Sequence, residues 1–304
     1  MMKLGLVSAI LPDYTFEEVF DYAASVGFDC VEVCCWPKGD AARRYAGVTH
    51  IDITNITREK MDHYLDYASK CGVKISSLAY YPNPLDSDLE ARKVAVDHIM
   101  ALIDVSAQMG INIVTTFIGK DKNKTVEENL KLYKEIWTPI VRFAEERKVR
   151  IGIENCPMYF SANEFPGGTN LASTPAIWRK MFELIPSDYL GLNLDPSHPY
   201  LLRMDYVKPV YEFKDKIFHI HFKDLKIYQD KLDDHGAFSY PSLWFAPKLP
   251  GLGGIDFGDF CGALYDIGYR GSACIEIEDR AFEGSLEDVK SGIELSYRFM
   301  KQYL

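Results

Sequence analysis

The chain has 304 residues, of which 47% are hydrophobic and 26% are charged, and its formal net charge is −10. This composition is typical of a globular protein and excludes a disordered or low-complexity chain. Acidic residues outnumber basic residues 44 to 34, and no basic run stands out. Because a surface that binds nucleic acid needs clustered Lys and Arg to neutralise phosphates, we expect no nucleic acid partner.

The seven cysteines include no CxxC pair, and Cys34 is followed directly by Cys35. An odd number of cysteines without regular spacing favours free thiols in a reducing compartment. The N-terminal segment has only a short apolar run, and no stretch approaches the roughly 18 apolar residues of a membrane span. We therefore expect a cytoplasmic protein that has no membrane partner.

Short apolar runs alternate with amphipathic helical segments along the chain. The predicted strands are 3–8, 30–35, 74–79, 112–117, 150–155, 190–195, 217–222 and 273–278. Strands that alternate with helices favour a parallel sheet, because parallel neighbours need a crossover connection. Eight such strands predict a single-domain (β/α)₈ TIM barrel over residues 1–304. The alternative is an open doubly wound sheet, but the segment after the first strand lacks the glycines of a phosphate loop.

Several helix boundaries are marked in the sequence. A capping-box pattern, with Glu three residues after Thr or Ser, is found at Thr15 with Glu18, Ser87 with Glu90 and Thr125 with Glu128. Thr174 precedes Pro175, as expected for a helix with proline in its first position. Glycines that suit a left-handed helix end before the next strand are Gly27, Gly72, Gly110 and Gly268.

The last four predicted strands each end in side chains that can bind a metal. These are Glu154, Asp195 followed by His198, His219 and His221, and Glu276 followed by Glu278 and Asp279. Acids and imidazoles are rare inside apolar strands, because burying an unpaired charge is costly. Neighbouring strand ends converge in a parallel barrel, so we expect these groups to hold one ion.

Carboxylates combined with an imidazole form a mostly oxygen-rich site for one divalent metal ion. The chemistry suits Mn²⁺ first, with Mg²⁺, Co²⁺ and Zn²⁺ as alternatives. Four protein ligands leave a six-coordinate ion two positions for substrate oxygens, so that it can polarise a carbonyl. A proton on the adjacent carbon then becomes removable by a nearby carboxylate.

The pattern resembles the xylose-isomerase-like sugar phosphate isomerase/epimerase superfamily, which includes type IV AP endonucleases and ketose 3-epimerases. The resembling segments span essentially the whole chain and are GFDCVEV, IGIEN, NLDPSH, HIHFKD, GLGGIDF and GYRGSACIEIE. The resemblance implies metal ligands at Glu154, Asp195, His221 and Glu276. It also implies that Glu154 and Glu276 are the acid/base pair on opposite faces of an enediolate, and that His198 contacts substrate.

The AP endonuclease branch has additional histidines that hold three zinc ions. Here the ends of the third and fourth predicted strands read SLAYYPN and TTFIGKD, without histidine. Asp233 and His235 resemble a later ligand pair of that branch, but the trinuclear site would be incomplete. The acidic net charge of −10 also argues against DNA.

Further substrate contacts are predicted on the loops that follow the strands. His50 and Trp36 fall on such segments, although a solvated loop histidine and an ordinary surface aromatic ring are the alternatives. Lys223 is predicted to touch substrate or to form a buried pair with Asp224. Other aromatic residues on predicted rim segments are Tyr80, Tyr81, Phe165 and Trp244.

Three residues near the predicted ligands have two readings each. Glu32 lies inside the second strand, where we favour an internal hydrogen-bonding role over substrate contact. His219 shares its face with His221, and we interpret it as a supporting residue rather than a ligand. Glu278 has the same strand parity as Glu276 and is the alternative ligand.

The leading functional hypothesis is metal-dependent proton abstraction next to the carbonyl of a keto-sugar or polyol derivative, catalysed by an isomerase or epimerase. The alternative is a deglycosidase or lyase subunit that eliminates the aglycone from a 3-oxo-glycoside through the same enolate chemistry, as superfamily members do alongside a small partner protein. A catalytically silent scaffold barrel is the third reading. We expect a small-molecule carbohydrate as partner, and leave a homo-oligomer or a small partner subunit open.

Overall fold

The structure is a computed structural model that describes residues 1–38, 45–159 and 168–304. Eight parallel strands form a closed barrel. They are β1 (Lys3–Val7), β2 (Cys30–Cys34), β3 (Lys74–Ala79), β4 (Ile113–Thr116), β5 (Arg150–Glu154), β6 (Leu190–Leu194), β7 (Ile217–Phe222) and β10 (Ser272–Ile275). Around the barrel they follow the order β1-β10-β7-β6-β5-β4-β3-β2. The first and last strands pair from Lys3 with Ser272 to Leu6 with Ile275. The predicted TIM barrel is therefore confirmed, and the open sheet is excluded.

Helices accompany the barrel. They are α1 (Phe16–Val26), α2 (Arg58–Cys71), α3 (Leu89–Met109), α4 (Val126–Arg147), α5 (Pro175–Leu184), α6 (Ser197–Leu201), α7 (Lys208–Glu212), α8 (Gln229–His235), α9 (Phe257–Asp266) and α10 (Leu286–Lys301). All of these helices except α8 have buried residues. Trp137 of α4 and Trp178 of α5 are fully buried and belong to the main hydrophobic core. No helix in the described ranges is long and apolar enough to span a membrane.

Most of the predicted helix boundaries agree with the structure. Both Thr15 and Thr125 form complete capping boxes, and Thr174 caps α5 ahead of Pro175. The boundary predicted at Ser87 is wrong, because Asp88 accepts hydrogen bonds from the backbone N–H groups at the start of α3. A carboxylate is a strong N-cap acceptor, so the helix begins one residue later than predicted.

The last barrel strand is shorter than predicted at its carboxyl end. Its pairing with β7 ends where Ile275 lies opposite Phe222. The backbone N–H of Glu276 still donates to the carbonyl of Phe222 at 3.1 Å. Glu276 therefore directly follows the strand, at the end of the barrel where the other strands terminate.

A two-stranded antiparallel hairpin was not predicted from the sequence. It pairs β8 (Asp224–Ile227) with β9 (Phe245–Lys248) directly after β7. Buried Asp224 fixes its base by accepting backbone hydrogen bonds of 2.8–3.1 Å from Leu225, Gly251, Gly253, Gly254 and Ile255. A Cβ atom at Gly253 would lie 2.1 Å from Oδ1 of Asp224, so this close approach requires glycine.

Candidate metal centre

Four strand ends bring metal-binding side chains to one point of the barrel. Glu154 is the last residue of β5, Asp195 directly follows β6, His221 lies in β7, and Glu276 directly follows β10. One ligand atom from each of these residues lies within 4.8 Å of the others. The structure therefore brings together all four residues predicted as ligands, as expected for neighbouring strands of a parallel barrel.

The atoms at the centre of this cluster fit a divalent cation. Nδ1 of His221 lies 3.5 Å from Oε1 of Glu154 and 3.3 Å from Oε2 of Glu276. Oδ2 of Asp195, Nδ1 of His221 and Oε2 of Glu276 are buried and make no hydrogen bond of good geometry, although ionisable partners lie 3.2–3.3 Å from each atom. Buried polar atoms are normally satisfied, and a cation would satisfy these three together.

Glu32 supports His221 from the opposite side of the imidazole ring. Its Oε1 lies 3.2 Å from Nε2 of His221, and its Oε2 lies 3.5 Å from Nδ1 of His219. The hydroxyls of Tyr81 and Ser77 donate to Glu32 at 2.7 and 3.1 Å. A neutral His221 with its proton on Nε2 would donate to this carboxylate and direct the Nδ1 lone pair toward Glu154 and Glu276. Glu32 thus has the internal hydrogen-bonding role that the sequence favoured.

The electrostatics of this interior depend on charge pairing. Burial raises the pKa of Glu32, but the neighbouring imidazoles of His221 and His219 and the hydrogen bonds from His221 and Tyr81 lower it to about 2. Burial lowers the pKa of His219 to about 4 despite the neighbouring Glu32 charge. Burial also raises the pKa of Glu154, but His198 and His221 lower it below its usual range. Both carboxylates are therefore ionised, and for Glu154, which belongs to the ligand group, this is the form that binds a cation.

His198 lies beside two of the predicted ligands. Its Nε2 is 3.2 Å from Oε1 of Glu154 and 3.2 Å from Oδ2 of Asp195. Burial lowers the pKa of His198, but Cys156 and Asp195 raise it well above its usual value. The residue borders the cavity next to the cluster, where the predicted contact with substrate would occur.

A cavity of about 760 Å³ opens at the cluster. Among the residues that line it are Glu154, Glu276, His198, Lys223 and Trp36. Lys223 is only 7% exposed, and its Nζ lies 3.2 Å from Oε2 of Glu276 and 2.8 Å from Oε2 of Glu278. Two of the three additional substrate contacts predicted from the sequence, Lys223 and Trp36, are thus placed at the cavity.

The structure does not bring His50 to this cavity. Its ring is buried, and Nε2 lies 3.0 Å from the backbone carbonyl of Leu11. His50 is not among the residues that line the cavity. The long loop after β2 folds inward here, so a position that the sequence indicated as rim became part of the packing between loops.

The predicted rim aromatics take different positions. Tyr81 lines the cavity and also contacts Glu32, whereas Tyr80 packs edge-on against Trp36 at 4.9 Å between ring centroids. Trp244 is buried under the hairpin in a small cluster with Leu201 and Leu225. Phe165 lies outside the described residues.

A family model described as xylose isomerase-like TIM barrel matches residues 20–303. The chain belongs to this family. The resemblance drawn from the sequence segments is thereby confirmed for nearly the whole chain. The roles of individual residues within the xylose isomerase-like TIM barrel remain predictions, since the family model matches a fold and not a particular chemistry.

Among curated relatives, an inosose dehydratase from Lacticaseibacillus casei is 33% identical over 113 residues, which cover 36% of this chain and 38% of the relative. A D-psicose 3-epimerase from Clostridium cellulolyticum H10, solved with D-tagatose, has a TM-score of 0.72 at 15% identity and covers 100% of this chain and 99% of its own. The IolI protein with a bound zinc atom has a TM-score of 0.71 at 17% identity, with coverage of 100% and 99%. These two structures share the xylose isomerase-like barrel fold.

Two asparagines that the sequence did not single out fix the backbone around the ligands. Asn155 exchanges hydrogen bonds with the backbone of Asp195, accepting from N–H at 2.8 Å and donating to C=O at 2.9 Å. Asn170 donates to the carbonyls of Glu154 and Cys156 at 3.0 and 2.7 Å. Asn155 follows Glu154 in the IGIEN segment, which is a local signal, whereas nothing near Asn170 marks it.

The alternative ligands occupy other positions in this family member. Glu278 is outside the group of four converging ligand atoms and contacts Lys223 instead. Asp233 and His235 lie on α8, a short helix with no buried residue. Among the described residues, a second potential ligand group joins Glu32, His219 and His221, and it lies directly behind the first.

Proposed function

We propose that this protein is a divalent-metal-dependent enzyme that removes a proton next to the carbonyl of a sugar or cyclic polyol. The observation that carries the proposal is the convergence of Glu154, Asp195, His221 and Glu276 at an open cavity. The names of the relatives and structural neighbours, inosose dehydratase and D-psicose 3-epimerase, fit this chemistry. A small carbohydrate is accordingly the partner that we propose.

The chemistry needs an electron sink at the carbonyl oxygen and a base at the adjacent carbon. A bound divalent cation would polarise the carbonyl and so make the neighbouring C–H bond acidic. Of the four predicted ligands, Glu154 and Glu276 line the cavity, so their carboxylates can reach a substrate carbon. One carboxylate takes the proton, and the electrons of the C–H bond form the C=C bond of an enediolate.

The outcome depends on where the proton returns. Delivery to the same carbon from the opposite face inverts that carbon, which is epimerisation, and for this step the second carboxyl group must carry a proton that it gives up to carbon. Delivery to the neighbouring carbon, with transfer of a hydroxyl proton, gives the isomer. His198 and Lys223 also line the cavity and are proposed to orient the hydroxyl and carbonyl oxygens of the substrate.

Elimination is the second candidate outcome, and the size and lining of the cavity favour it. A cavity of about 760 Å³ falls in the range that holds drug-sized ligands, which are larger than a single sugar ring. Its lining includes many aromatic rings, among them Trp36, Tyr81, Phe117, Tyr228, Tyr240 and Phe245. After proton removal, the enolate of a 3-oxo-glycoside would expel the group at C1, and such rings would contact a flat aglycone.

Solvent isotope exchange tests the common first step. The metal-loaded protein is incubated in D₂O with a panel of ketoses, inososes and 3-oxo-glycosides, and deuterium at the carbon next to the carbonyl is read by NMR. We expect exchange with at least one substrate class, and no exchange with chelator-treated protein or with Glu154→Gln. Aglycone release in the same samples identifies elimination. Stoichiometric metal binding without exchange across the panel would instead favour the silent scaffold.

The metal itself is proposed from the donor set. Three carboxylates and one imidazole favour Mn²⁺, with Mg²⁺, Co²⁺ and Zn²⁺ as the competing ions. The structurally similar IolI protein was solved with a zinc atom, so Zn²⁺ is tested beside the other ions. Reconstitution of the metal-free protein with each ion, followed by the exchange assay, ranks them. Higher exchange with Zn²⁺ than with Mn²⁺ would replace our assignment.

A further inference from the structure

A buried lysine next to a metal centre needs an explanation. Lys223 is 7% exposed, yet it lines the cavity at the cluster. Placing an ammonium group in such an environment is costly unless an acidic partner neutralises it. Two carboxylates lie in range, with Glu278 Oε2 at 2.8 Å and Glu276 Oε2 at 3.2 Å from Nζ.

The two carboxylates are not equivalent partners for Lys223. Glu276 belongs to the converging ligand group, and its Oε2 makes the longer contact with Lys223 at 3.2 Å. Glu278 is outside that group and provides the shorter contact. If Glu276 holds a cation, Glu278 is the carboxylate that remains to neutralise Lys223.

The charge of Lys223 also acts on the metal centre. Its Nζ lies 3.2 Å from Oε2 of Glu276, which is a member of the proposed ligand set. A cation bound there would be repelled by the ammonium, and Lys223 would compete with it for Glu276. A partner that holds Lys223 away from Glu276 reduces this competition.

We propose that Glu278 is a positioning residue that holds the ammonium of Lys223 in the cavity beside the metal centre, as a fixed positive charge for a substrate oxygen. This inference rests on the proposed function, because it needs a metal at the four-residue cluster. A preorganised donor stabilises the negative charge that develops on oxygen when the proton leaves carbon. The pair of Lys223 and Glu278 therefore provides a positive charge for the substrate oxygen and leaves Glu276 available to bind the metal.

The proposal predicts opposite effects on metal affinity from the two partners. Lys223→Met removes a like charge from the metal centre and keeps an unbranched side chain, so Mn²⁺ should bind about tenfold more tightly. Glu278→Gln is isosteric but frees Lys223 to engage Glu276, so Mn²⁺ should bind about tenfold more weakly. In the double variant the loss from Glu278→Gln should disappear, since no ammonium remains to compete.

Competition titration with a chelating fluorophore measures the Mn²⁺ dissociation constant of each full-length variant, and circular dichroism checks its folding. Lys248→Met is the matched control, because Lys248 lines the same cavity but pairs with Asp279 at 3.0 Å. We expect its Mn²⁺ affinity to equal that of the wild type. In the exchange assay, Lys223→Met and Glu278→Gln should each lower kcat by a larger factor than they raise KM. Glu278→Asp keeps the negative charge and should recover part of the kcat lost in Glu278→Gln.

The outcomes separate this inference from the proposed function. If Glu154→Gln and His221→Ala retain wild-type Mn²⁺ affinity, the metal centre itself is misassigned and the proposed function fails. If those variants lose the metal, but Lys223→Met and Glu278→Gln leave the affinity unchanged or shift it in the same direction, only the role of the pair is overturned.

Discussion

The two halves of the barrel contribute different chemistry at their carboxyl ends. The half that contains β5, β6, β7 and β10 presents the four side chains whose ligand atoms lie within 4.8 Å of one another. The half that contains β1 to β4 contributes no member of that group. It provides Glu32 from β2 and Tyr81 from the segment after β3, and both contact His221 from behind.

His221 is the residue where the two halves meet. Its Nδ1 faces Glu154 and Glu276 of one half, and its Nε2 faces Glu32 of the other. One half thus provides the proposed ligands, and the other fixes the orientation of the imidazole among them. Supporting residues of this kind matter because a ligand that must be ordered on binding costs free energy.

The largest effect is expected where the halves meet. His221→Ala removes the imidazole that links them, so the affinity for Mn²⁺ should fall by more than the roughly 100-fold that supporting residues reach. Metal content after equilibrium dialysis, read by mass spectrometry, measures it. His63→Ala is the control, because that histidine is exposed on α2 and pairs with Glu17. Wild-type metal content in His221→Ala would show that this histidine is not a metal ligand and does not couple the two halves of the barrel.

The next effect tests the supporting half alone. Glu32→Gln keeps the shape of the side chain but removes the charge that faces Nε2 of His221, so Mn²⁺ should bind about 10- to 100-fold more weakly. Calorimetric titration of the metal-free protein measures the change. Glu135→Gln makes the same substitution at an exposed position of α4 and should have no effect. Equal affinities in the two variants would mean that the supporting half acts only as scaffold.

The same comparison explains how much of the protein could be predicted from its sequence. The barrel follows from the regular alternation of strands and helices, and the proposed ligands are readable because each stands at the end of its own strand. The contact between Glu32 and His221 joins residues separated by 189 positions. It depends on which inward-facing side chains the stagger of the barrel places side by side, and no local pattern encodes that.

The hairpin was missed for a different reason. Its strands are only four residues long, and the second contains Pro247. Proline has no N–H to donate to a neighbouring strand, so it argues against a strand at this position. The hairpin is anchored by a buried carboxylate that binds backbone N–H groups of a distant glycine-rich loop, and such side chain-to-backbone contacts leave no periodic signal. His50 shows the same limit, because nothing in its neighbourhood indicates that the loop turns inward.

Asp224 tests how far the ligand-bearing half depends on this hairpin. Asp224→Ala removes the acceptor of five backbone N–H groups, of which those of Leu225 and Ile255 are buried, so the free energy of unfolding should fall by about 1.5–3 kcal/mol. Urea unfolding measures the loss, and hydrogen exchange should localise it to the amides of Gly251 and Gly253, whose N–H groups donate to Asp224. Asp234→Ala, at an exposed position of α8, should change neither measurement. Unchanged exchange at those glycines would show that other contacts hold the loop.

The smallest effect is expected from Tyr81→Phe, which removes one hydroxyl from the supporting half. That hydroxyl donates to Oε1 of Glu32 at 2.7 Å, while Ser77 and the two histidines remain in contact with the carboxylate. Losing one of several hydrogen bonds should weaken Mn²⁺ binding by less than about tenfold. Calorimetric titration again provides the dissociation constant, and Ser77→Ala, which removes the other hydroxyl donor, should give a loss of similar size.

A double-mutant cycle decides whether Tyr81 acts through Glu32. If it does, Tyr81→Phe should cause little further loss in the Glu32→Gln background, because the charge that it orients is already gone. Fully additive losses would contradict this, and would mean that the tyrosine acts on the metal centre by its own route. The candidate for that route is its 3.5 Å contact with Nε2 of His221. The supporting half would then act on the imidazole through two independent contacts rather than through one carboxylate.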